Sequence, residues 1–462
     1  MVGETLPEVA LLPRSIVNRV LRYSESEELL PLRGESLLVA TSGGADSLAL
    51  LLILRDLSGR IGFELVAGHF DHKLRPTSGR DCSTVRSICE RLGVRCVTGE
   101  GNVRQHAVER NLGLEEAARS MRYGFLSFSA SREKAAAVAT GHTLDDQAET
   151  VILRLLRGTG VRGLRGIRPK GYVPGSRTMR LVRPMLTVRH REALKVCQAV
   201  GLEPLEDDSN LDRAFTRNRV RQDVMPLLRK LNPSVDRSLA AMADSAREIA
   251  SRIEQEAEGV RPVARDDFGN VFELPVFAAL SVEARVEIIE REASTRGIGV
   301  DVNRTRLSNL ASVLTSGGGL VRFGGIEVEA SVGLVRIGGQ VTPPDFPARA
   351  LEVPGSIRLG DKLITVATDS DLLSRGGIEI PGEFQGVLTV RRLRAGDRMF
   401  RKGRFRKLNQ VLAEERIPVW ERRDLVVVSD AAGSLAAFAG SVVIGADSPS
   451  RSRLFVACVK GK

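Results

Sequence analysis

The ten residues Leu38-Val39-Ala40-Thr41-Ser42-Gly43-Gly44-Ala45-Asp46-Ser47 constrain the fold more than any other stretch of the chain. Ser36 to Ala40 is an apolar run with the length of a buried strand, and Leu48 to Leu57 is apolar over the length of a helix. Ser-Gly-Gly stands between them. A strand, a tight glycine turn and a first helical turn therefore follow one another. Such a turn aims backbone N–H groups from the positive end of the helix dipole, a ready seat for phosphate. Gly43 and Gly44 let the backbone approach closely, Ala45 adds an N–H, and Ser42 and Ser47 add hydroxyl donors. No Gly-Lys-Ser/Thr follows, so this is not a Walker A loop. Asp46 is the odd member. A carboxylate in a phosphate loop is repelled unless a cation intervenes, which predicts Mg2+ held between Asp46 and the phosphates.

From Ser36 to Leu202 apolar runs alternate with helical patterns. The strands expected are Ser36–Ala40, Glu64–His69, Val94–Thr98, Ala135–Thr140 and Met179–Val182. The helices expected are Ser47–Leu57, Ser78–Leu92, Leu114–Ser129, Leu144–Arg157 and Arg189–Val200. This alternation predicts an α/β domain over residues 1–228, built on a Rossmann-like, doubly wound parallel sheet. Ligands on such sheets bind where the strands end, and Ser42–Ser47, His69–Arg75 and Gly141–Asp146 all lie at strand ends. Past Pro226–Pro233 the pattern becomes helical, with candidates Val235–Glu258 and Leu280–Arg296, then strand-like pieces from Leu320 to Ile337. We expect a mainly helical middle domain over 229–340, a Gly/Pro linker at Gly338–Pro344, and a small α+β domain over 345–462 with one helix near Lys407–Glu415.

The 462 residues carry 68 Lys+Arg against 57 Asp+Glu, a net charge of +11 that suits a polyanionic partner. Five cysteines without a C-x-x-C pair speak against a zinc site or a disulfide scaffold. The first twelve residues lack a basic n-region, and the longest apolar run, Leu48–Leu54, is too short to span a bilayer. A cytoplasmic protein with no membrane association is expected.

Further motifs carry chemistry. Gly141-His142-Thr143-Leu144-Asp145-Asp146-Gln147-Ala148-Glu149-Thr150 opens a helix. At about 100° per residue, His142, Asp146 and Glu149 share one face, and Ala148, Val151, Ile152 and Leu155 share the other. His69-Phe70-Asp71-His72-Lys73-Leu74-Arg75 ends the second strand and supplies two imidazoles and two cations for a phosphate or nucleotide. Arg119 and Arg122 lie at i, i+3 on a helix. Arg217, Arg219 and Arg221 follow the acidic turn Glu206–Asn210; local acids cannot pair with all three, which predicts an anionic ligand.

The Ser-Gly-Gly-x-Asp-Ser loop resembles that of the N-type ATP pyrophosphatases. With the His-x-Asp-His-x-Leu-Arg segment, the Gly-His-x-x-Asp-Asp-x-x-Glu-Thr helix, Arg217-Asn218-Arg219-Val220-Arg221, and the segments Arg391–Arg398 and Arg406–Pro418, the chain resembles one branch of that group, the tRNA(Ile)-lysidine synthase family. The resemblance implies ATP-dependent ligation of free L-lysine to C2 of the wobble cytidine in a CAU anticodon, through an adenylated tRNA. It implies catalytic roles for Asp46, His142, Asp146, Glu149, Arg119 and Arg122, and ATP and Mg2+ at Ser42–Ser47 with His69. Asp146 and Glu149 would hold the lysine ammonium, and Arg217, Arg219 or Arg221 its carboxylate or a phosphate. Arg404, Arg406 and Lys407 would grip the tRNA. Members are often homodimers, though no coiled-coil pattern marks this chain as one. A tRNA thiolase of the same superfamily, a GMP-synthetase-like amidotransferase and a non-catalytic RNA-binding protein are the alternatives. The absence of a C-x-x-C pair weighs against the first, the lack of a glutaminase-type cysteine against the second, and the intact loop and helix against the third.

Overall fold

The computed structural model describes residues 11–73, 78–205, 216–266, 268–340, 347–359, 362–368, 371, 378–381, 387–423, 425–430, 434–439, 442–445 and 453–460. It divides into two compact units, Met1–Ala250 and Ser251–Lys462.

The first unit is built on six strands: β1 (Ser36–Ala40), β2 (Glu64–Asp71), β3 (Arg95–Glu100), β4 (Ala135–Ala139), β5 (Lys170–Tyr172) and β6 (Arg180–Val182). The five expected strands are all present. The additional β5 is three residues long and closes one edge antiparallel to β6, with no apolar run to announce it. The order is β3-β2-β1-β4-β6-β5, and all pairs but the last are parallel. Connections run outward from β1 on one side and from β4 on the other, so the loops leaving these neighbours diverge and open a crevice at the strand ends.

Helices cover both faces. They are α1 (Arg14–Ser26), α2 (Ala45–Ile61), α3 (Ser78–Arg91), α4 (Val103–Arg110), α5 (Leu114–Arg132), α6 (Leu144–Leu156), α7 (Val161–Leu164) and α8 (His190–Ala199). Leu48 to Leu54 of α2 are all fully buried, because α1 and α8 share its core beneath the sheet. On the other face Tyr123, Leu126 and Ala130 of α5 pack against Leu38, Val138 and Leu181. The unit continues through α9 (Thr216–Arg219), a π turn at Val220–Val224, α10 (Met225–Leu231) and the part of α11 (Val235–Glu258) up to Ala250.

In the second unit the middle segment carries α12 (Leu274–Ala279), α13 (Val282–Thr295) and α14 (Arg304–Ser316) beside an antiparallel sheet. Its strands are β7 (Ala264–Arg265), β8 (Gly269–Glu273), β9 (Gly319–Phe323), β10 (Ile326–Ser331) and β11 (Leu334–Gly339), in the order β7-β8-β11-β10-β9. The pieces expected between Leu320 and Ile337 are three of these strands. Beyond them lie a seven-stranded and a four-stranded sheet, with a helix at Leu408–Glu414. Among the described residues no helix is long and apolar enough to cross a membrane.

Candidate functional site

The loop between β1 and α2 is fixed from inside. Ser47 Oγ accepts the Ser42 N–H at 3.1 Å, lies 3.1 Å from Ser42 Oγ, and donates to the Gly44 carbonyl at 2.9 Å. The two hydroxyls expected to face a ligand are thus bonded to each other. Gly43 takes φ +91°, open to glycine at little cost. Gly141, at the end of β4, has no room for a Cβ, which would fall 2.9 Å from the Asp46 carbonyl oxygen. The two loops touch backbone to backbone.

Asp46 stands in the first turn of α2 with Oδ1 2.9 Å from His190 Nδ1, on the first residue of α8. Burial raises the Asp46 pKa; the His190 bond opposes this, and Asp146 and Asp145 add repulsion. The Asp46 bond raises the His190 pKa. Sequence reading missed His190, because no motif surrounds it. His69, expected among the ligand contacts, is buried, and its Nδ1 donates to the Thr41 carbonyl at 2.8 Å. It ties β2 to the loop.

Thr143 caps α6 in a capping box with Asp146, whose Oδ2 accepts the Thr143 N–H at 2.8 Å. The cap starts the helix at Leu144. His142 therefore lies ahead of the helix and not on its face, a correction to the expected alignment. Its Nδ1 is 2.9 Å from Thr140 Oγ1. Burial holds His142 down at about 3 against the pull of Asp146, and Arg183, Arg217 and Arg122 lower it further.

The acidic face of α6 is not open. Asp146 Oδ1 accepts from Arg217 Nη2 at 2.8 Å and Arg221 Nη2 at 3.1 Å. Glu149 accepts from Arg221 Nε at 2.6 Å, Arg221 Nη2 at 3.0 Å and Arg217 Nε at 3.3 Å. The acids that Arg217 and Arg221 meet are not local but come from another element, α6, which sequence proximity does not reveal, so these two arginines do not by themselves require an anionic ligand. The π turn after Arg219 interrupts the helix here, as such turns often do beside functional groups. Against the weakening effect of burial, the Glu149 bond holds Arg221 above its ordinary pKa. Arg219 is exposed.

Arg119 and Arg122 flank the Tyr123 ring, with Cζ 4.9 and 5.2 Å from its centroid. In the second unit Arg404 and Lys407 are exposed, whereas Arg406 Nη1 donates to Glu414 Oε2 at 2.7 Å. Leu74–Arg75, the Glu206–Asn210 turn, Phe215 and the Val341–Pro344 part of the linker lie outside the described residues.

Residues 17–228 match the family model of the PP-loop domain. The chain is 39% identical over 243 residues to a protein of Dehalococcoides mccartyi named tRNA(Ile)-lysidine synthase, covering 52% of this chain. It spans about half the length of that relative and of two others of similar identity. A Thermotoga protein of the same name is 30% identical over 401 residues, 86% of this chain and 89% of the relative. Among solved structures, the U34-tRNA thiolase NcsA of Methanococcus maripaludis aligns with a TM-score of 0.44 at 17% identity, over 51% of this chain and 79% of the other.

Proposed function

This chain belongs to the tRNA(Ile)-lysidine synthase family, and on that premise we propose that it ligates free L-lysine to C2 of the wobble cytidine of tRNA(Ile) with a CAU anticodon. ATP would adenylate the cytosine oxygen with release of diphosphate, and the lysine ε-amine would then displace AMP. The observation that carries this reading is the close backbone approach of Gly141, just ahead of the His142–Glu149 segment, to Asp46 across the β1–β4 crevice. It brings a phosphate loop and an acid–base cluster to one place.

A carbonyl oxygen leaves poorly until AMP is attached, so the first step needs charge stabilisation at the phosphates. The N–H groups of Gly43–Asp46 suit that task. The residues also fit Mg2+. Among the described residues no group of three His, Cys, Asp or Glu side chains could hold a metal alone, but a cation riding on substrate phosphates needs only one carboxylate. Asp46 supplies it, with Oδ1 on His190. The ion would neutralise charge developing on the diphosphate.

The second step needs a neutral amine. With an ordinary pKa near 10.4, about one lysine in 2,500 is neutral at pH 7, a deficit of roughly 4.6 kcal/mol. We place lysine at the Asp146–Glu149–Arg217–Arg221 network. Its ammonium takes one guanidinium's place on the carboxylates, and the displaced arginine is then free for the lysine carboxylate. His142 beside Asp146, neutral and too weak a base at a pKa of about 3 to keep that proton, would accept a hydrogen bond from the amine and orient it, and Arg119 and Arg122 would bind phosphate. The molecule would be cytoplasmic and homodimeric. Its domains would be 1–228, 229–340 and 345–462, with Arg404, Arg406 and Lys407 on the tRNA backbone.

The test is incubation with ATP, lysine and tRNA, followed by mass analysis of the modified nucleoside. Lysine addition supports the proposal. Sulfur addition with a sulfur donor present identifies a thiolase, and an unchanged nucleoside refutes ligation.

A further inference from the structure

Deepening the proposed reading of the crevice, on which it rests, we infer that Arg119, Arg122, Arg183 and Tyr123 form a phosphate-binding pocket beside His142, with Arg183 and Tyr123 as binding residues. Arg183 is the residue after β6, on the strand-end side of the sheet, and Arg119 and Arg122 lie in the N-terminal half of α5. All three guanidiniums converge on Tyr123.

The cluster differs from the arginines that face the acidic residues of α6. Arg217, Arg221 and Arg229 each meet carboxylates. Among the described residues no carboxylate pairs with Arg119, Arg122 or Arg183. Burial lowers the pKa of Arg122 and of Arg183; Tyr123 beside them opposes the fall, and the like charge of Arg119 adds to it. Arg183 Nη1 donates to the Arg168 carbonyl at 2.7 Å, but its Nε is buried with no hydrogen-bond partner. Tyr123 is completely buried, and its hydroxyl also finds no hydrogen-bond partner among the described residues.

Buried donors without acceptors cost free energy until an acceptor arrives, and like charges packed together add to that cost. Guanidiniums have no acceptor atoms of their own, so the missing component is an anion with several oxygens. Phosphate fits guanidinium forks in bidentate fashion and leaves oxygens for a phenol. Arg119 is exposed, which gives the pocket an entrance. Two sources offer this chemistry: the α-phosphate of ATP, and a phosphodiester of the RNA strand that presents the target base. Arg183 follows β6, α5 packs over β1 and β4, and the Ser42–Ser47 loop leaves β1, so one ligand pair can occupy both pocket and loop.

The test uses the full chain with Tyr123→Phe and Arg183→Gln, and probes it with ATP alone and with unmodified tRNA alone, in the absence of lysine. Melting temperatures and dissociation constants are measured across a salt series. Tyr123→Phe should leave the ligand-free melting temperature unchanged or raised, since it deletes an unsatisfied hydroxyl, while shrinking the ligand-induced rise. Arg183→Gln should weaken one ligand about tenfold. A tRNA loss with the salt slope reduced by about one assigns the phosphodiester. An ATP loss assigns the α-phosphate. Arg183→Lys keeps the charge without the fork, and should lose about threefold; it carries the comparison if Arg183→Gln does not fold. Wild-type affinity of these variants for both ligands overturns the pocket, as does a lowered ligand-free melting temperature in Tyr123→Phe with an unaltered ligand shift. A wild-type protein that binds ATP and tRNA through this pocket yet transfers no lysine would contradict the proposed function and leave the pocket standing.

Discussion

Asp46 and His142 show how placement, rather than residue type, sets a role. The Asp46 carboxylate is partly exposed and uses one oxygen on His190. Asparagine has the same shape and can still meet His190, so Asp46→Asn should keep the fold while losing the charge a cation requires. Diphosphate release from ATP and tRNA should fall at least about a hundredfold; normal turnover at ordinary Mg2+ would sink the assignment. His142 has a folded pKa of about 3, below the ordinary value near 6.5. Between these limits the unfolded chain binds the proton and the folded chain does not. The stability tied to a neutral His142 is thus fully present above about pH 6.5 and is lost as pH falls toward 3. His142→Gln should flatten that acid loss in denaturant midpoints measured from pH 7 to 4. The lysine step should likewise show no inflection near pH 6.5 that vanishes with His142→Gln, and finding one would contradict the depressed value.

At the scale of elements, α6 and the α9–π-turn segment are joined by two carboxylates and two guanidiniums. Glu149 is 2% exposed in its side chain, whereas Arg217 and Arg221 are 38% and 39% exposed. Removing one member leaves a partner charge unpaired, yet water reaches both arginines and screens the loss. Glu149→Ala should cost about 1–3 kcal/mol of stability by chemical denaturation. It should also let adenylated tRNA accumulate, because the lysine seat is lost while the Asp46 loop is untouched. Adenylation failing as badly as transfer would remove Glu149 from the lysine step. The elements themselves were legible. Leu48–Leu54 is buried throughout, and an uninterrupted apolar run is the signature of such a helix. The glycine turn followed from Ser-Gly-Gly between two apolar runs and a ligand site at the strand ends from strand–helix alternation, but the pairing of β1 with β4 that opens the crevice did not. The network was not legible, since Arg217 and Glu149 stand 68 residues apart and no periodicity links them. Nor were His190 and Arg183, single side chains outside any motif that only the fold brings to the crevice. His142 was misplaced by a local cause, the Thr143 cap, which starts the helix only at Leu144 and leaves His142 ahead of it.

For the whole molecule, a net charge of +11 draws any polyanion, but contact depends on which cations remain unpaired. In the second unit, Glu414 and Glu415 meet much of the basic hairpin around Lys402. Arg406 bonds Glu414, Arg401 Nη2 donates to Glu415 at 2.6 Å, and Lys402 Nζ lies 3.9 Å from Glu414. Arg404 and Lys407 are exposed on the edge strand of the seven-stranded sheet. The proposed grip on tRNA should therefore be uneven. Arg404→Gln with Lys407→Gln should weaken tRNA binding uniformly across sequences and lower its salt slope by up to about two, with ATP binding unchanged. Arg406→Gln should do less, because a phosphate must first compete with Glu414 for that guanidinium. Glu414→Gln should act in the opposite sense: it releases Arg406 and Lys402, tightening tRNA binding and steepening the slope. Equal slopes for all these proteins, measured by filter binding from low to high salt, would remove the hairpin from the tRNA surface.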